Sequence, residues 1–116
     1  MVSAGFLGGP RISIWNGVAV LAGQTAATDS PLANCFAFEN SLRNGAFVAI
    51  GDVNGDGVGD LIFGAGPNGG PRVRIADGAS LLVAGNFGSL DNPDAASLTV
   101  GNFISGNPNS RGGSRV

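Results

Sequence analysis

Residues Gly8-Gly9-Pro10-Arg11-Ile12-Ser13-Ile14-Trp15-Asn16-Gly17 return as Gly69-Gly70-Pro71-Arg72-Val73-Arg74-Ile75-Ala76-Asp77-Gly78, so that residue n answers residue n + 61. The match extends upstream, where Val2-Ser3-Ala4-Gly5 answers Phe63-Gly64-Ala65-Gly66, and downstream, where Val20-Leu21-Ala22-Gly23 resembles Leu82-Val83-Ala84-Gly85. A period of this size, filled with short apolar runs and glycine turns, constrains the fold strongly. One unit cannot bury its apolar face alone, and like units must stack or be arranged radially. The whole chain, 1–116, is therefore expected to be a single domain of two repeats, about 1–61 and 62–116.

Inside each copy the pieces read as strands. Arg11, Ser13 and Trp15 alternate with Ile12 and Ile14, as Arg72 and Arg74 alternate with Val73 and Ile75. One face should carry the arginines while the other enters an apolar layer. Asn16-Gly17 and Asp77-Gly78 are hairpin turn signals, which places the next strands at Val18–Ala22 and Ser80–Ala84. Phe36–Phe38 reads as a short further strand, the stretches Thr25–Asn34 and Leu90–Ala95 as variable loops, and no segment as an amphipathic helix.

Between the copies lies Asp52-Val53-Asn54-Gly55-Asp56-Gly57-Val58-Gly59-Asp60. Oxygen-bearing side chains fall at positions 1, 3, 5 and 9 with glycine at position 6, the spacing of a calcium loop. Asp52, Asn54, Asp56 and Asp60 are candidate side-chain ligands for Ca2+, and Val58 the candidate backbone-carbonyl ligand. Position 12 is Phe63 where a helical calcium hand needs glutamate, and the flanks Phe47–Gly51 and Leu61–Gly66 are short apolar runs. The loop should thus join two strands. The competing reading is a metal-free turn, since Asp, Asn and Gly also build turns from their own backbone hydrogen bonds. Against it, three carboxylates without a cation would crowd like charges together. Downstream, Ser97–Phe103 aligns with Ala46–Val53, but the residues that follow lack carboxylates, so the 102–110 loop should be empty and held by Asx and Ser turns.

Composition narrows the function. The net charge is −2, there is no histidine, and the basic residues are dispersed, which argues against nucleic acid as a partner. The single cysteine, Cys35, allows no intrachain disulfide and reads as a small buried hydrophobe. No apolar run is long enough for a membrane span, and no basic region precedes a hydrophobic run at the N-terminus. If the protein is secreted, the leader has been removed or was never included.

With Phe47–Pro67 and Gly69–Ile75 in view, the chain resembles the FG-GAP/VCBS repeats of integrin-alpha-like beta-propellers, specifically across 47–78, again across 2–17, and weakly over 97–116. The resemblance implies an all-β fold of propeller-like blades, each a four-stranded antiparallel sheet, with the calcium loop between two strands of a blade. It carries the ligand roles to Asp52, Asn54, Asp56, Asp60 and the Val58 carbonyl. A propeller closes with four to eight blades, whereas this chain holds about two. Either the chain is a fragment of a longer propeller, or neighbouring subunits complete it as a homo-oligomer through the repeat ends.

Two uses follow. One is a calcium-stabilised structural module that self-assembles into a closed ring or an extracellular filament. The other is an adhesion-type module, extracellular or at the cell surface, that binds a protein or glycan through its variable loops. Calcium loops with few acids suit extracellular calcium levels. An enzyme is not expected: general-base histidine and nucleophile arrangements are missing, and Glu39 with Asp29 or Asp91 is an unsupported carboxylate pairing. Arg11 and Arg72 are either ligand-reading residues or long stems covering a strand face, and Trp15 is expected to pack between blades or subunits.

Overall fold

Pro10 and Pro71, which have no N–H to give a ladder, each stand just ahead of an alternating run, and that run forms a strand in both copies. The computed structural model describes residues 1–23, 31–83 and 98–116. In chain order its elements are β1 (Val2–Ser3), β2 (Arg11–Ile14), α1 (Gly17–Leu21), β3 (Ala33–Phe36), β4 (Ala46–Gly51), β5 (Asp60–Ala65), β6 (Arg72–Ala76), α2 (Gly78–Leu82) and β7 (Thr99–Ile104). The chain is mostly β. The strands form two antiparallel sheets, a three-stranded one ordered β1-β2-β3 and a four-stranded one ordered β4-β5-β6-β7. Among the described residues no helix is long and apolar enough to cross a membrane.

The two sheets share one core. Ile12, Ile14, Ala33 and Cys35 of the first cluster with Leu61, Phe63, Ala65 and Ala76 of the second, together with Phe38, Leu81 and Leu98. Cys35 is buried there, as a small hydrophobe should be. Polar contacts tie the same surfaces: Ser3 Oγ donates to Ala46 C=O at 2.7 Å, and Arg72 Nη1 pairs with Glu39 Oε1 at 2.6 Å.

The expected division of faces holds for β2 and fails for β6. Arg74 is fully buried beside its cross-strand neighbour Phe63, its guanidinium 6.0 Å from that ring centroid, and Nη1 donates to Ala37 C=O at 3.2 Å. The arginine face of the second sheet is the one that the Ile12–Ile14 face of the first covers. Alternation ranks the two sides of an isolated strand, but stacking buries both sides of an inner one.

Three further expectations are corrected. The segments after Asn16-Gly17 and Asp77-Gly78 are the helices α1 and α2, not the strands expected at Val18–Ala22 and Ser80–Ala84, of which Ala84 lies outside the described residues. The favoured two-residue hairpin turn needs positive φ at both central residues, yet Asn16 has φ −68° and Asp77 φ −65°. Their side chains act as N-caps instead: Asn16 Oδ1 accepts from Val18 and Ala19 N–H, and Asp77 Oδ2 from Ser80 N–H. The helices keep the 61-residue offset without a gap, so Val20 answers Leu81 and not the Leu82 with which the sequence matched it. The strand expected at Phe36–Phe38 begins earlier, at Ala33, and ends at Phe36.

The third correction concerns the tail. Residues 99–104 are not a second copy of the strand and loop at 46–53; they are the partner of β6, as β3 is the partner of β2. Arg11 lies opposite Phe36 and Arg72 opposite Ile104, so this strand answers n + 68. One side-chain contact marks the equivalence. Arg11 Nε donates to Asn34 Oδ1 at 2.6 Å, and Arg72 Nε to Asn102 Oδ1 at 2.9 Å. The offset continues to Gly45 and Gly113, both with positive φ, whose missing Cβ atoms admit the carbonyls of Gly5 and Gly66 respectively. The first sheet therefore repeats β5-β6-β7 of the second.

Candidate functional site

The acidic run connects β4 to β5, which pair along their whole length from Ala46↔Ala65 to Gly51↔Asp60. It is a strand-to-strand loop, as its flanks require. Gly55 at φ 81° and Gly57 at φ 85° take the left-handed conformation that lets so few residues reverse the chain.

Within the loop the side chains fold back on the main chain. Asp52 Oδ1 accepts from Gly55 N–H at 2.7 Å and Asp56 N–H at 3.2 Å, and Oδ2 from Gly57 N–H at 2.9 Å. Asn54 Oδ1 accepts from Asp56 N–H at 3.0 Å, and Asp56 Oδ1 from Val58 N–H at 2.8 Å. Asn54 Nδ2 bridges Asp56 Oδ2 and Asp77 Oδ1, both at 3.1 Å. Asp52, Asn54 and Asp56 are exposed and Val58 is half-buried.

Asp60 differs from the others. Its side chain is completely buried, with Oδ2 accepting from Val53 N–H and Oδ1 from Gly78 N–H, each at 2.9 Å. One carboxylate thus joins the start of the loop to the start of α2. The fit there is close: a Cβ on Gly78 would stand 2.0 Å from Gly59 O. Asp60 and Gly78 together hold the loop on the helix.

Asp77 is the residue that sequence reasoning left out of this site. It reaches the loop through Asn54, and hydrogen bonds from Ser80, side chain first and then backbone, hold its carboxyl below the usual carboxylate range. Its signal was present in the sequence as the polar partner of Asn16 in the repeat.

Among the described residues, no three histidine, cysteine or acidic side chains stand close enough together to hold a metal ion. The carboxylates are directed at backbone N–H groups around the loop. An ionised carboxylate has about four acceptor sites, so three N–H bonds on Asp52 and two on Asp60 leave about one site on the first and two on the second. The donor set, all hard oxygen, is the kind calcium takes.

The other sequence candidates are dispersed. Arg11 is exposed and bonded to Asn34, and Arg72 is bonded to Glu39 with its guanidinium 5.5 Å from the Phe38 ring centroid. That bond is the largest of the effects that hold the Glu39 carboxyl below its ordinary range. Residues 102–104 are strand, and Asn109 N–H donates to Asn107 Oδ1 in an Asx turn, as expected for 105–110. Asp29, Asp91, the Leu90–Ala95 loop and most of the Thr25–Asn34 loop lie outside the described residues. No protein-family model, curated protein or solved structure matches this chain.

Proposed function

We propose that the chain is a calcium-rigidified structural module, built from two blade-like units of the propeller type, that works outside the cell or at its surface by stacking with further units. One observation carries this reading. The 52–60 loop joins paired strands and keeps hard oxygen acceptors at Asp52, Asn54, Asp56 and Asp60 around glycine turns, while buried Asp60 anchors it to α2. Those four side chains and the Val58 carbonyl would hold Ca2+. The cation would neutralise the Asp52, Asp56 and Asp60 carboxylates and draw β4, β5 and α2 into one rigid corner.

The structural use is favoured over ligand binding because the organised features of the molecule serve its own framework. The acidic loop, the two Arg–Asn contacts and the buried Arg74 all bind one part of the chain to another. Calorimetric titration of the chain with calcium, paired with thermal melts in calcium and in chelator, tests the proposal. At calcium about 100-fold above its dissociation constant, the expected stabilisation is about 2.7 kcal/mol, or roughly 10 °C in melting temperature. Asp52→Asn with Asp56→Asn should abolish that shift. Identical melts with no binding heat would reject calcium and leave the loop as a turn closed by its own backbone.

A further inference from the structure

The interface inside the chain defines two faces. The first sheet contributes the side that holds Ser3, Ile12, Ile14 and Cys35, and the second contributes the side that holds Leu61, Phe63, Arg74 and Ala76. Because the sheets repeat each other, each also has an outer face equivalent to the inner face of the other. On the second sheet, Val73, Ile75 and Phe103 answer Ile12, Ile14 and Cys35. On the first sheet, Val2, Ser13 and Trp15 answer Phe63, Arg74 and Ala76, and Val20 answers Leu81.

Burial separates most of the used positions from their outer counterparts, Val73 at 7% exposed being the exception. Leu81 is 1% exposed and Phe63 0%, while their counterparts Val20 and Val2 are 41% and 58% exposed. Cys35 is 3% exposed and its counterpart Phe103 49%. Met1, Val2, Trp15, Gly17 and Val20 line an apolar recess of ≈ 400 Å³ at the first face. The second face already carries part of the matching arrangement. Ser114 C=O lies directly over Gly64, where the equivalent Ala46 C=O receives the Ser3 hydroxyl in the internal interface.

We propose that copies of this chain pack head to tail, with the Val73–Ile75–Phe103 face of one seated on the Val2–Trp15–Val20 face of the next. The geometry is the one the two sheets use inside the chain. The exchanges offset one another in size: Phe63 becomes the smaller Val2 while Ala76 becomes the larger Trp15 on one face, and Cys35 becomes the larger Phe103 on the other. The buried guanidinium also disappears from the contact, since Ser13 stands where the internal interface has Arg74, and a neutral hydroxyl is easier to desolvate than a charge. The contact is heterologous, so repeating it gives a ring if the rotation closes and a filament if it does not. This inference deepens the proposed structural role and rests on its repeat equivalences, without requiring that calcium bind.

Light scattering on wild type, Phe103→Asp and Val2→Asp, in calcium and in chelator, decides it. Both positions are about half exposed, so each variant should keep the wild-type circular dichroism and melting temperature in chelator. Wild type at about 100 μM should run at two or more chain masses, and each variant alone at one. Mixed one to one, the variants should form a dimer, because Phe103→Asp keeps an intact Val2 face and Val2→Asp an intact Phe103 face. Formation of that dimer should shift the emission of Trp15, the only tryptophan, to shorter wavelength. A wild type that stays at one chain mass up to about 1 mM overturns the proposal, as does a mixture in which no dimer forms. Calcium binding without dimerisation leaves the calcium reading standing and removes this one; dimerisation with no calcium binding heat does the reverse.

Discussion

Asp60 shows what a single side chain decides here. It is the ninth residue of an apparent metal loop, yet in the fold it satisfies two backbone N–H groups from segments 25 residues apart, Val53 and Gly78. Asp60→Ala would orphan both donors, at roughly 1–3 kcal/mol each. A loss of about 2–5 kcal/mol in urea unfolding with chelator present is expected, while exposed Asp56→Ala should cost less than about 1 kcal/mol under the same conditions. Equal losses would mean that Asp60 has no anchoring role. Glu39 provides a pH test. Its carboxyl is lowered below 4.5 in the folded state by Arg72, so it binds fewer protons folded than unfolded. Its contribution is present above pH 4.5 and is lost as the pH falls through the lower folded value. With 48% of the Glu39 side chain exposed, screening limits the effect to about 0.5 kcal/mol, and Glu39→Gln should flatten that part of the acid profile.

Elements were legible in the sequence where their signals were local. Alternation located β2 and β6, and the flanks of the acidic run located β4 and β5. The dipeptides Asn16-Gly17 and Asp77-Gly78 were read as turns because the same residue types serve hairpins and helix caps; the backbone dihedrals, which composition does not reveal, choose between them. The two caps also differ in use. Asp77 holds Ser80 N–H and takes a bond from Asn54, whereas the Asn16 side chain caps only α1 among the described residues. Asp77→Ala is expected to cost about 1 kcal/mol and to loosen the 52–60 loop, seen as faster amide exchange at Val58 and Ser80. Exchange unchanged at Val58 would separate the helix cap from the loop. The strand β7 was misaligned because its equivalent, β3, is reached by an offset of 68 and not 61. Few residues in it are identical, and Asn34 and Asn102 show their kinship only by accepting from Arg11 and Arg72.

At the level of the whole molecule, stacking changes what each face means. The sheets enclose one core between unlike sides, the Ile12–Ile14 side of one and the Phe63–Arg74 side of the other. That asymmetry is directional: it leaves one outer face of each kind, which is the basis of the head-to-tail assembly proposed above. It also explains how calcium at a surface loop would stabilise the fold beyond the loop itself. The loop touches α2 through Asp60 and Gly78, α2 inserts Leu81 into the core, and the core joins both sheets. A calcium-dependent melting shift that also reports the β2–β3 pair by amide exchange is the expected outcome.

By itself, the sequence determined that the segment at 8–17 recurs at 69–78, that the alternating runs and the flanks of the acidic run are strands, that Cys35 is a core residue, and that 52–60 is a tight, glycine-turned loop between strands. These are consequences of local pattern: side-chain alternation, residues tolerant of positive φ, and short apolar runs on either side of a turn. Only the tertiary structure decided that Arg74 is buried, that Asp60 bridges Val53 to Gly78, and that Thr99–Ile104 completes the second sheet. Each of these depends on which segment lies across from which. That pairing is set by the stacking of two sheets over a shared core, a contact between residues far apart in the chain that no local window contains.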